Sequence, residues 1–359
     1  MSVAASTSSV GVVIIGRNEG ERLRRCLESV LRETGGSAAG ARIVYVDSGS
    51  SDGSVALARE MGAEVVELDM SVPFSAARAR NAGFERLMSE GGVEFVQFVD
   101  GDCELIVGWM DEAAAALRAD PKVAAVCGRL RERYPEASVY NRLCDIEFTR
   151  APGVVNACGG IFMGRASALA EVGGFNPSVV AGEEPEMCLR LRRLGYTIVR
   201  LGRDMAWHDS AMMRFGQWWK RAVRSGHAYA QGMALHGRGP ERYCVRESRG
   251  IWLWGLGLPA LALALAWPTW GLSVLLLGLY PVQAVRTALR RKEPDERPGD
   301  RWLYGIACTV MKFPQWVGQV KFYWNAARGR APRIIEHKSV PIGSVGTEPA
   351  TAAAGGEHG

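Results

Sequence analysis

Short apolar runs alternate with amphipathic segments along the N-terminal part of the chain. The pattern predicts strands at 10–15, 42–47, 64–68 and 94–99 and helices at 19–33, 54–61 and 74–89. Continuous Val and Ile runs between amphipathic helices are typical of right-handed βαβ units, which build a mostly parallel sheet with helices on both faces. Ligands bind beyond the carboxyl ends of the strands in such sheets, so we expect the functional site there.

Polar side chains follow three of the predicted strands. The first strand is followed by Asn18 and Glu19, and the second by a segment rich in serine and glycine that contains Asp47 and Asp52. Small residues let backbone N–H groups approach a ligand, and a carboxylate there can accept a hydrogen bond from a uracil N–H or a ribose hydroxyl. The alternative for residues 52–54 is an ordinary turn that caps the next helix.

Two acidic clusters carry the strongest chemical signal. Asp100 and Asp102 stand one residue apart at the end of the apolar strand 94–99, an arrangement that suits a hard divalent cation and a diphosphate. The segment 182–186, Gly-Glu-Glu-Pro-Glu, supplies a candidate base. A cation that holds a nucleotide diphosphate, facing a carboxylate that accepts a proton from an acceptor hydroxyl, is the minimum apparatus for sugar transfer.

Length, motifs and cysteines limit the class of protein. At 359 residues and 48% hydrophobic content, the chain has room for one large α/β domain and an appendage. No Gly-x-Gly-x-x-Gly follows a predicted strand and no Gly-x-x-x-x-Gly-Lys-Ser/Thr occurs, which argues against dinucleotide oxidoreductases and P-loop NTPases. The eight cysteines have no zinc-type spacing, which fits reduced thiols in the cytosol.

Charge is unevenly distributed along the chain. The formal net charge is +5, but the part up to residue 208 is net acidic whereas the rest is net basic. The basic part also contains the longest apolar runs. This combination indicates a membrane surface with anionic lipids as the partner and argues against nucleic acid.

The basic part begins with an amphipathic segment at 214–233. It places Trp218 and Trp219 on an apolar face, with Lys220, Arg221 and Arg224 mostly off that face. The pattern predicts a helix in the bilayer interface, with tryptophans at headgroup depth and cations on lipid phosphates. The alternative is an ordinary helix whose apolar face packs on the protein core.

Two apolar stretches follow, at 251–267 and 271–289, separated by Pro268 and Thr269. Each is close to the minimum of about 17 residues for a membrane span, and we expect a transmembrane hairpin. Arginine and lysine flank both ends of this hairpin, which places both ends in the cytoplasm. The stretch 302–324 is apolar but interrupted and has basic flanks, which predicts an interfacial or re-entrant segment.

The motifs, taken in series, resemble those of family-2 inverting glycosyltransferases. Similarity to the nucleotide-binding half of these enzymes lies in residues 12–19, 46–54, 79–83 and 98–102, and similarity to the acceptor half lies in residues 159–163, 172–175 and 182–186. The resemblance covers about residues 10–210 in the expected order. It implies a GT-A fold with a Rossmann-like, mostly parallel sheet, a nucleotide-sugar donor, and Mg²⁺ or Mn²⁺ as the divalent metal.

The resemblance also implies roles for residues on the donor side. Glu19 and Asp47 would hold the base and ribose, and Arg80 would lie near the diphosphate. Arg78 would either share the role of Arg80 or face solvent. The polar strand ends add two further donor-side candidates, Asn18 and Asp52.

The implied metal and acceptor residues follow from the same resemblance. Asp102 would ligate the metal, with Asp100 supporting it or contacting the ribose. His208 would be a further metal ligand or a hydrogen-bonded structural residue. The family usually has Glu-Asp where this chain has Glu183 and Glu184, so Glu184 falls at the base position with one extra methylene. The choice between Glu183 and Glu184 stays open at this point.

We therefore expect an inverting glycosyltransferase, bound to the cytoplasmic face of the plasma membrane by two spans. It would move one sugar from a nucleotide-diphosphate donor to a polyprenyl-phosphate-linked or diphosphate-linked acceptor in surface-polysaccharide or glycolipid assembly. The alternatives are a processive polysaccharide synthase and a non-catalytic, membrane-tethered sensor of a nucleotide sugar. The expected organisation is a disordered tail at 1–9 without a secretory signal, a GT-A domain at 10–210, the amphipathic region at 211–249, the hairpin at 250–290, a basic loop with an interfacial or re-entrant helix at 291–338, and a disordered tail at 339–359.

Overall fold

The computed structural model describes residues 10–35, 41–293 and 296–329. The two predicted tails lie outside the described residues. The strands are β1 (Val10–Gly16), β2 (Arg42–Asp47), β3 (Glu64–Glu67), β4 (Phe95–Asp100), β5 (Cys103–Leu105), β6 (Val123–Glu132), β7 (Gly153–Val154), β8 (Phe162–Arg165) and β9 (Thr197–His208).

Helices surround the sheet and form the C-terminal part. Those of the N-terminal part are α1 (Glu21–Glu33), α2 (Ser54–Glu60), α3 (Ala76–Met88), α4 (Trp109–Ala119), α5 (Val139–Phe148), α6 (Ala166–Glu171) and α7 (Glu183–Arg193). The C-terminal helices are α8 (Phe215–His236), α9 (Val245–Trp252), α10 (Leu258–Ala264), α11 (Leu279–Arg290), α12 (Asp300–Val310) and α13 (Lys312–Ala327).

The first half of the sheet is parallel. Strand β1 pairs with β2 on one side and with β4 on the other, and β3 extends the sheet beyond β2. Val12, Val13 and Ile14 are fully buried in β1 because helices cover both faces of the sheet. The prediction of parallel βαβ units is confirmed for this half. Since the carboxyl ends of these strands share one edge, Ile15 lies opposite Asp100.

The second half of the sheet is mixed. Strand β8 runs antiparallel to both β4 and β6, and β5 and β7 run antiparallel to β9. The expectation of a mostly parallel sheet is therefore wrong for the domain as a whole. The strand order β3-β2-β1-β4-β8-β6-β9-β5 places the antiparallel β8 near the centre. Strand β5 pairs with the end of β9, so Cys103 lies opposite His208 and His208 comes close to Asp102.

Helix α8 packs directly on helix α13. A Cβ atom at Gly226 would lie 2.0 Å from the carbonyl oxygen of Gln315, and one at Gly318 would lie 2.0 Å from that of Val223. The two backbones thus come into contact at these two glycines. Trp218 and Val223 are buried. The structure differs here from the interfacial helix expected from the sequence, because protein and not lipid covers this apolar face.

The basic residues of α8 also point in different directions. Lys220 is exposed, but Arg221 forms an ion pair with Glu147 of α5 at 2.7 Å. Arg224 lines a cavity at the edge of the sheet. The expectation that all three cations contact lipid phosphates therefore does not hold for Arg221 and Arg224, because the helix is docked on the catalytic domain.

His227 lies within the contact between α8 and α13, and we predict that it makes stability depend on pH. Its ring is 3% exposed, stands edge-on to Phe322, and has no hydrogen-bond partner among the described residues. Burial lowers the pKa of His227 to about 4. Acidification therefore protonates the unfolded chain first, so stability that is fully present above about pH 6.5 is lost as the pH falls towards 4.

Between pH 7 and pH 5, His227 should lower the free energy of unfolding by about 2 kcal/mol. Over this interval the histidine becomes protonated in the unfolded chain, whereas it stays mostly neutral in the folded protein. Denaturant unfolding at the two pH values measures this loss. The variant His227→Met keeps an apolar side chain of similar volume without a titrating group, and it should lose correspondingly less stability over the same interval. Equal losses in the two proteins would contradict the assignment.

The predicted hairpin is helical on both sides of its tip. A π-helical turn at Leu253–Gly257 joins α9 to α10, and a 3-10 segment at Leu272–Gly278 leads into α11. Within the described residues, Leu272–Arg290 is one helical stretch that is long and apolar enough to cross a membrane, and only 11% of its most apolar window is buried. Trp267 and Trp270 at the tip are 93% and 96% exposed.

The stretch predicted at 302–324 as one interfacial or re-entrant segment consists of two helices, α12 and α13, with Met311 between them. Its N-terminal end is attached to the catalytic domain, because Asp300 pairs with Arg142 of α5 at 2.7 Å. A small apolar cluster that includes Cys144, Met212 and Ala307 lies beside this contact. These contacts position α8 and its arginines over the edge of the sheet.

Candidate active site

A cavity of about 510 Å³ opens at the carboxyl ends of β1 and β4. Its floor is the turn between β4 and β5, and helix α8 forms the opposite wall. The side chains that give it chemical character are Glu19, Arg80, Asp100, Asp102, Glu183 and His208. This is the sheet edge at which the sequence predicted a ligand site.

Asp102 and His208 form a compact donor cluster at one end of the cavity. The Oδ2 atom of Asp102 lies 3.4 Å from Nε2 of His208. Cys103 joins them: each of the three residues offers one possible ligand atom, and these atoms lie within 4.8 Å of one another. Asp102 is 3% exposed. A carboxylate and an imidazole on one side of a cavity can both ligate a divalent cation.

The other ring nitrogen of His208 is held by buried groups. Its Nδ1 atom lies 2.8 Å from the hydroxyl oxygen of Ser210 and 3.4 Å from Oε2 of Glu132. Ser210 in turn donates a hydrogen bond to Glu132. Such contacts orient a histidine so that its free nitrogen faces a metal. Sequence inspection missed Glu132 and Ser210, because they approach His208 only through the folding of β6 and the end of β9.

Arg80 links the two acidic parts of the cavity. It is 3% exposed and donates from Nη1 to Oε1 of Glu183 at 2.5 Å and from Nη2 to Oδ1 of Asp100 at 2.8 Å. The same Nη2 donates to the carbonyl oxygen of Gly160 at 3.2 Å. A Cβ atom at Gly160 would lie 2.9 Å from both Arg80 and Asp100, so only glycine leaves room for this pairing.

Glu183 and Glu184 begin helix α7, and their side chains have different surroundings. Glu183 lines the cavity. Glu184 is 1% exposed and its carboxylate accepts hydrogen bonds from the backbone N–H groups of Cys158 and Gly159 and from the thiol of Cys188. Burial raises the pKa of Glu184 above its usual range. Of the two glutamates between which the sequence left the choice of base open, Glu183 is the one that lines the cavity.

The first donor-side loop lies at the entrance. Asn18 and Glu19 line the cavity, and Oδ1 of Asn18 accepts a hydrogen bond from the N–H group of Ser51 at 2.7 Å. Glu19 pairs with Arg22 at 2.8 Å. The guanidinium of Arg17 lies over the ring of Phe74, 4.8 Å from its centroid.

The carboxylates of Asp47 and Asp52, the other two donor-side candidates, accept hydrogen bonds from neighbouring residues of their own loop. Asp47 is 3% exposed, and its Oδ2 accepts from the N–H groups of Gly49 and Ser50. Asp52 accepts from the N–H group and the hydroxyl of Ser54 at the start of α2. For residues 52–54 the structure thus has the capping turn that was the alternative. Asp47 thus holds the loop in shape through these hydrogen bonds and is not among the residues that line the cavity.

Arg78 neither joins Arg80 nor points freely into solvent. Its guanidinium donates to the carbonyl oxygens of Asp69, Val72 and Pro73. It therefore closes the loop before α3. Arg78 and Arg80 lie apart because residues two positions apart on a helix do not face the same side.

Arg221 and Arg224 are cavity residues that the sequence assigned elsewhere. Both line the cavity from α8. The amphipathic pattern alone favoured the membrane.

The fold and the cavity define a class: an α/β transferase whose acidic residues at the strand ends face a second carboxylate across one pocket. Residues 11–173 match the model of the family described as Glycosyl transferase family 2. This part of the chain is therefore a family-2 glycosyltransferase domain, and relatives that are named as glycosyltransferases agree with this assignment.

Two curated relatives illustrate the similarity. The chain is 24% identical over 253 residues to Glycosyltransferase AglE of Haloferax volcanii, which covers 68% of this chain and 79% of that protein. It is 28% identical over 204 residues to the Pre-mycofactocin glycosyltransferase of Mycobacterium tuberculosis, which covers 53% of this chain and 40% of that protein.

A solved structure supports the fold assignment. The mannosyltransferase PcManGT from Pyrobaculum calidifontis, in complex with GDP-Man and Mn²⁺, has a TM-score of 0.59 to this chain and 20% sequence identity. The match covers 88% of this chain and 87% of that one. At this identity the likeness shows the fold, which is that of GT-A glycosyltransferases.

Proposed function

We propose that this protein is an inverting glycosyltransferase that works at the cytoplasmic face of a membrane. It would move one sugar from a nucleotide-diphosphate donor to a polyprenyl-linked acceptor in surface-polysaccharide or glycolipid assembly. The observation that carries the proposal is the single cavity in which Asp102 and His208 face Glu183. The presence of a nucleotide sugar and a metal in PcManGT supports the donor class.

The residues at one end of the cavity fit a divalent metal. Asp102 and His208 would hold it, with Asp100 nearby, and the buried Ser210 and Glu132 would keep His208 in a ligating orientation. When bound, Mg²⁺ or Mn²⁺ would neutralise charge on the leaving nucleoside diphosphate. The Mn²⁺ in PcManGT supports a divalent ion of this kind.

Glu183 is our candidate for the general base. It would accept the proton of the acceptor hydroxyl while that oxygen forms a bond to the anomeric carbon and the bond from this carbon to the diphosphate oxygen breaks. One attack from the face opposite the leaving group inverts the configuration. The ion pair with Arg80 holds Glu183 in place, and Arg80 also offsets the negative charge of Asp100 beside the metal end of the cavity.

The exposed hairpin supports a membrane-bound acceptor. Its exposed apolar side chains include Leu263, Leu275 and, at the tip, Trp267 and Trp270. Contiguous exposed apolar patches mark sites of membrane or protein interaction. Arg246 and Arg249 precede the hairpin and Arg286 and Arg290 follow its apolar part, all exposed. Cations at both ends favour a cytoplasmic position for both ends.

The proposed function is tested by a donor screen with the purified full-length protein in bilayers. Release of nucleoside diphosphate, which requires both a lipid acceptor and a divalent metal, would support a transferase. Products extended by one sugar would support single addition, whereas long products would support a processive synthase. Donor binding without any turnover across the screen would support a sensor and overturn the proposal.

We predict that the double change Trp267→Ser and Trp270→Ser weakens binding to vesicles. Each tryptophan buries apolar surface worth about 1.5 to 3 kcal/mol when inserted, so partition should fall by about tenfold or more. Flotation with vesicles of phosphatidylcholine and phosphatidylglycerol measures the effect. The control is Tyr134→Ser, which removes an exposed aromatic residue from the catalytic domain. Unchanged flotation of the double variant would argue against insertion of the hairpin tip.

A further inference from the structure

Arg224 is a cation in the cavity that lacks a partner. In the part of the chain that the structure describes, no hydrogen-bond acceptor or carboxylate pairs with its guanidinium, although the side chain is partly buried. Nearby arginines are engaged: Arg80 with Asp100 and Glu183, and Arg221 with Glu147 at 2.7 Å. The guanidinium of Arg224 thus faces open space within the cavity.

The surroundings of Arg224 favour an anion. Burial lowers the pKa of Arg224, the charges of Arg221 and Arg80 act in the same direction, and Glu183 is the opposite charge that acts on it most strongly. A partly desolvated guanidinium beside two like charges gains energy when an anion enters. Its planar fork matches two oxygens of a phosphate group, whereas an ammonium group would act only as a point charge.

Arg224 lines the cavity from α8. Glu183 is the carboxylate that acts on it most strongly, ahead of Asp100. Just after Arg224, α8 is tied to the helix that precedes the hairpin and to the last described helix. Ser225 accepts from Gln315 of α13 at 3.2 Å, and the carbonyl oxygen of Tyr229 accepts from Ser248 of α9 at 3.1 Å. An acceptor that comes from the hairpin side would meet Arg224 next to the candidate base.

We propose that Arg224 binds the phosphate group of a polyprenyl-linked acceptor and thereby holds the acceptor beside Glu183. This inference rests on the proposed function and names the recognition element for its acceptor. The phosphate stays intact during transfer. Its role is to fix the lipid-linked acceptor so that the attacking hydroxyl lies within reach of both the Glu183 carboxylate and the anomeric carbon.

The test compares Arg224→Gln and Arg224→Lys with Lys220→Gln in the full-length protein. Lys220 is an exposed cation on the same helix and does not line the cavity, so Lys220→Gln controls for loss of charge. Binding is measured to nanodiscs of phosphatidylcholine that contain either polyprenyl monophosphate or the uncharged polyprenol, without a donor. Affinity for nucleotide sugar is measured in parallel, and unfolding temperature verifies that each variant is folded.

The wild-type protein and Lys220→Gln should prefer the phosphorylated lipid. Arg224→Gln should reduce that preference by about 10- to 100-fold, because a charge-assisted pair of hydrogen bonds is lost, and Arg224→Lys should keep part of it. Donor affinity should stay within about twofold, while the KM for a lipid acceptor rises.

Three results would overturn the proposal. The first is weaker binding of nucleotide sugar with unchanged lipid preference, which would assign Arg224 to the donor diphosphate. The second is equal behaviour of Arg224→Gln and Lys220→Gln. The third is a wild-type protein that does not distinguish polyprenyl phosphate from polyprenol. If the wild type prefers the phosphorylated lipid but releases no nucleoside diphosphate with any donor, the proposed function fails while the binding site stands.

Discussion

The change Asp102→Asn is expected to abolish sugar transfer while the fold stays intact. Asp102 is buried at the turn after β4, and its carboxylate lies 3.4 Å from His208. Asparagine keeps the size of the side chain but removes the negative charge that a divalent ion requires from this ligand. Loss of a charged ligand should cost several kcal/mol of transition-state stabilisation, hence about a thousandfold or more in kcat.

Two measurements make this prediction specific. Titration with Mn²⁺, followed by the loss of the signal of the free ion in electron paramagnetic resonance, should show weakened metal binding in the variant. The control is Asp111→Asn, which changes an exposed carboxylate on α4 by the same chemistry and should leave transfer and metal binding unchanged. Near-normal turnover of Asp102→Asn would remove the metal assignment.

The change Glu183→Gln is expected to reduce transfer by roughly a hundredfold to ten-thousandfold, the usual range for loss of a general base. Glutamine can still accept a hydrogen bond from Arg80, so donor binding should persist. Single-turnover rates with a saturating donor would separate this effect on the chemical step from an effect on binding. Mutation of the neighbouring glutamate provides the matched comparison.

Glu184→Gln should act mainly on stability. The Glu184 carboxylate accepts from two backbone N–H groups and a thiol in a site without water access, and an amide can replace only part of this acceptor capacity. We expect a cost of about 1 to 3 kcal/mol, measured by denaturant unfolding, with transfer per folded molecule reduced far less than in Glu183→Gln. The reverse order of the two effects on the chemical step would return the base to Glu184.

The roles of the two glutamates depend on helix geometry that the sequence left open. Adjacent residues on a helix point about 100° apart, so only one of them can face a given cavity. The sequence located the pair and its chemistry. The structure begins α7 at Glu183, directly after Gly182 with a φ of 78°. That start directs Glu183 towards Arg80 and Glu184 towards the loop of Cys158.

The acidic residues at the metal end of the cavity could largely be predicted from the sequence. An apolar strand that ends in Asp100 and Asp102 is a local pattern, and parallel strands meet at one edge whatever the rest of the chain does. The pairing of β5 with β9, which brings His208 close to Asp102, could not be predicted from the sequence. It joins residues about a hundred positions apart, and strand pairing over such a distance depends on the whole sheet order, including the antiparallel β8.

The C-terminal half shows most clearly how much the sequence alone determines. By itself the sequence determined that α8 is amphipathic, that the hairpin is apolar, and that basic residues lie beside both. It did not determine what covers each apolar face, because periodicity indicates only that an apolar face must be shielded from water. Only the tertiary structure decided this. Gly226 and Gly318 let the backbones of α8 and α13 come into contact, so that α13 covers α8. Docking of α8 on the catalytic domain then places Arg221 and Arg224 in the cavity.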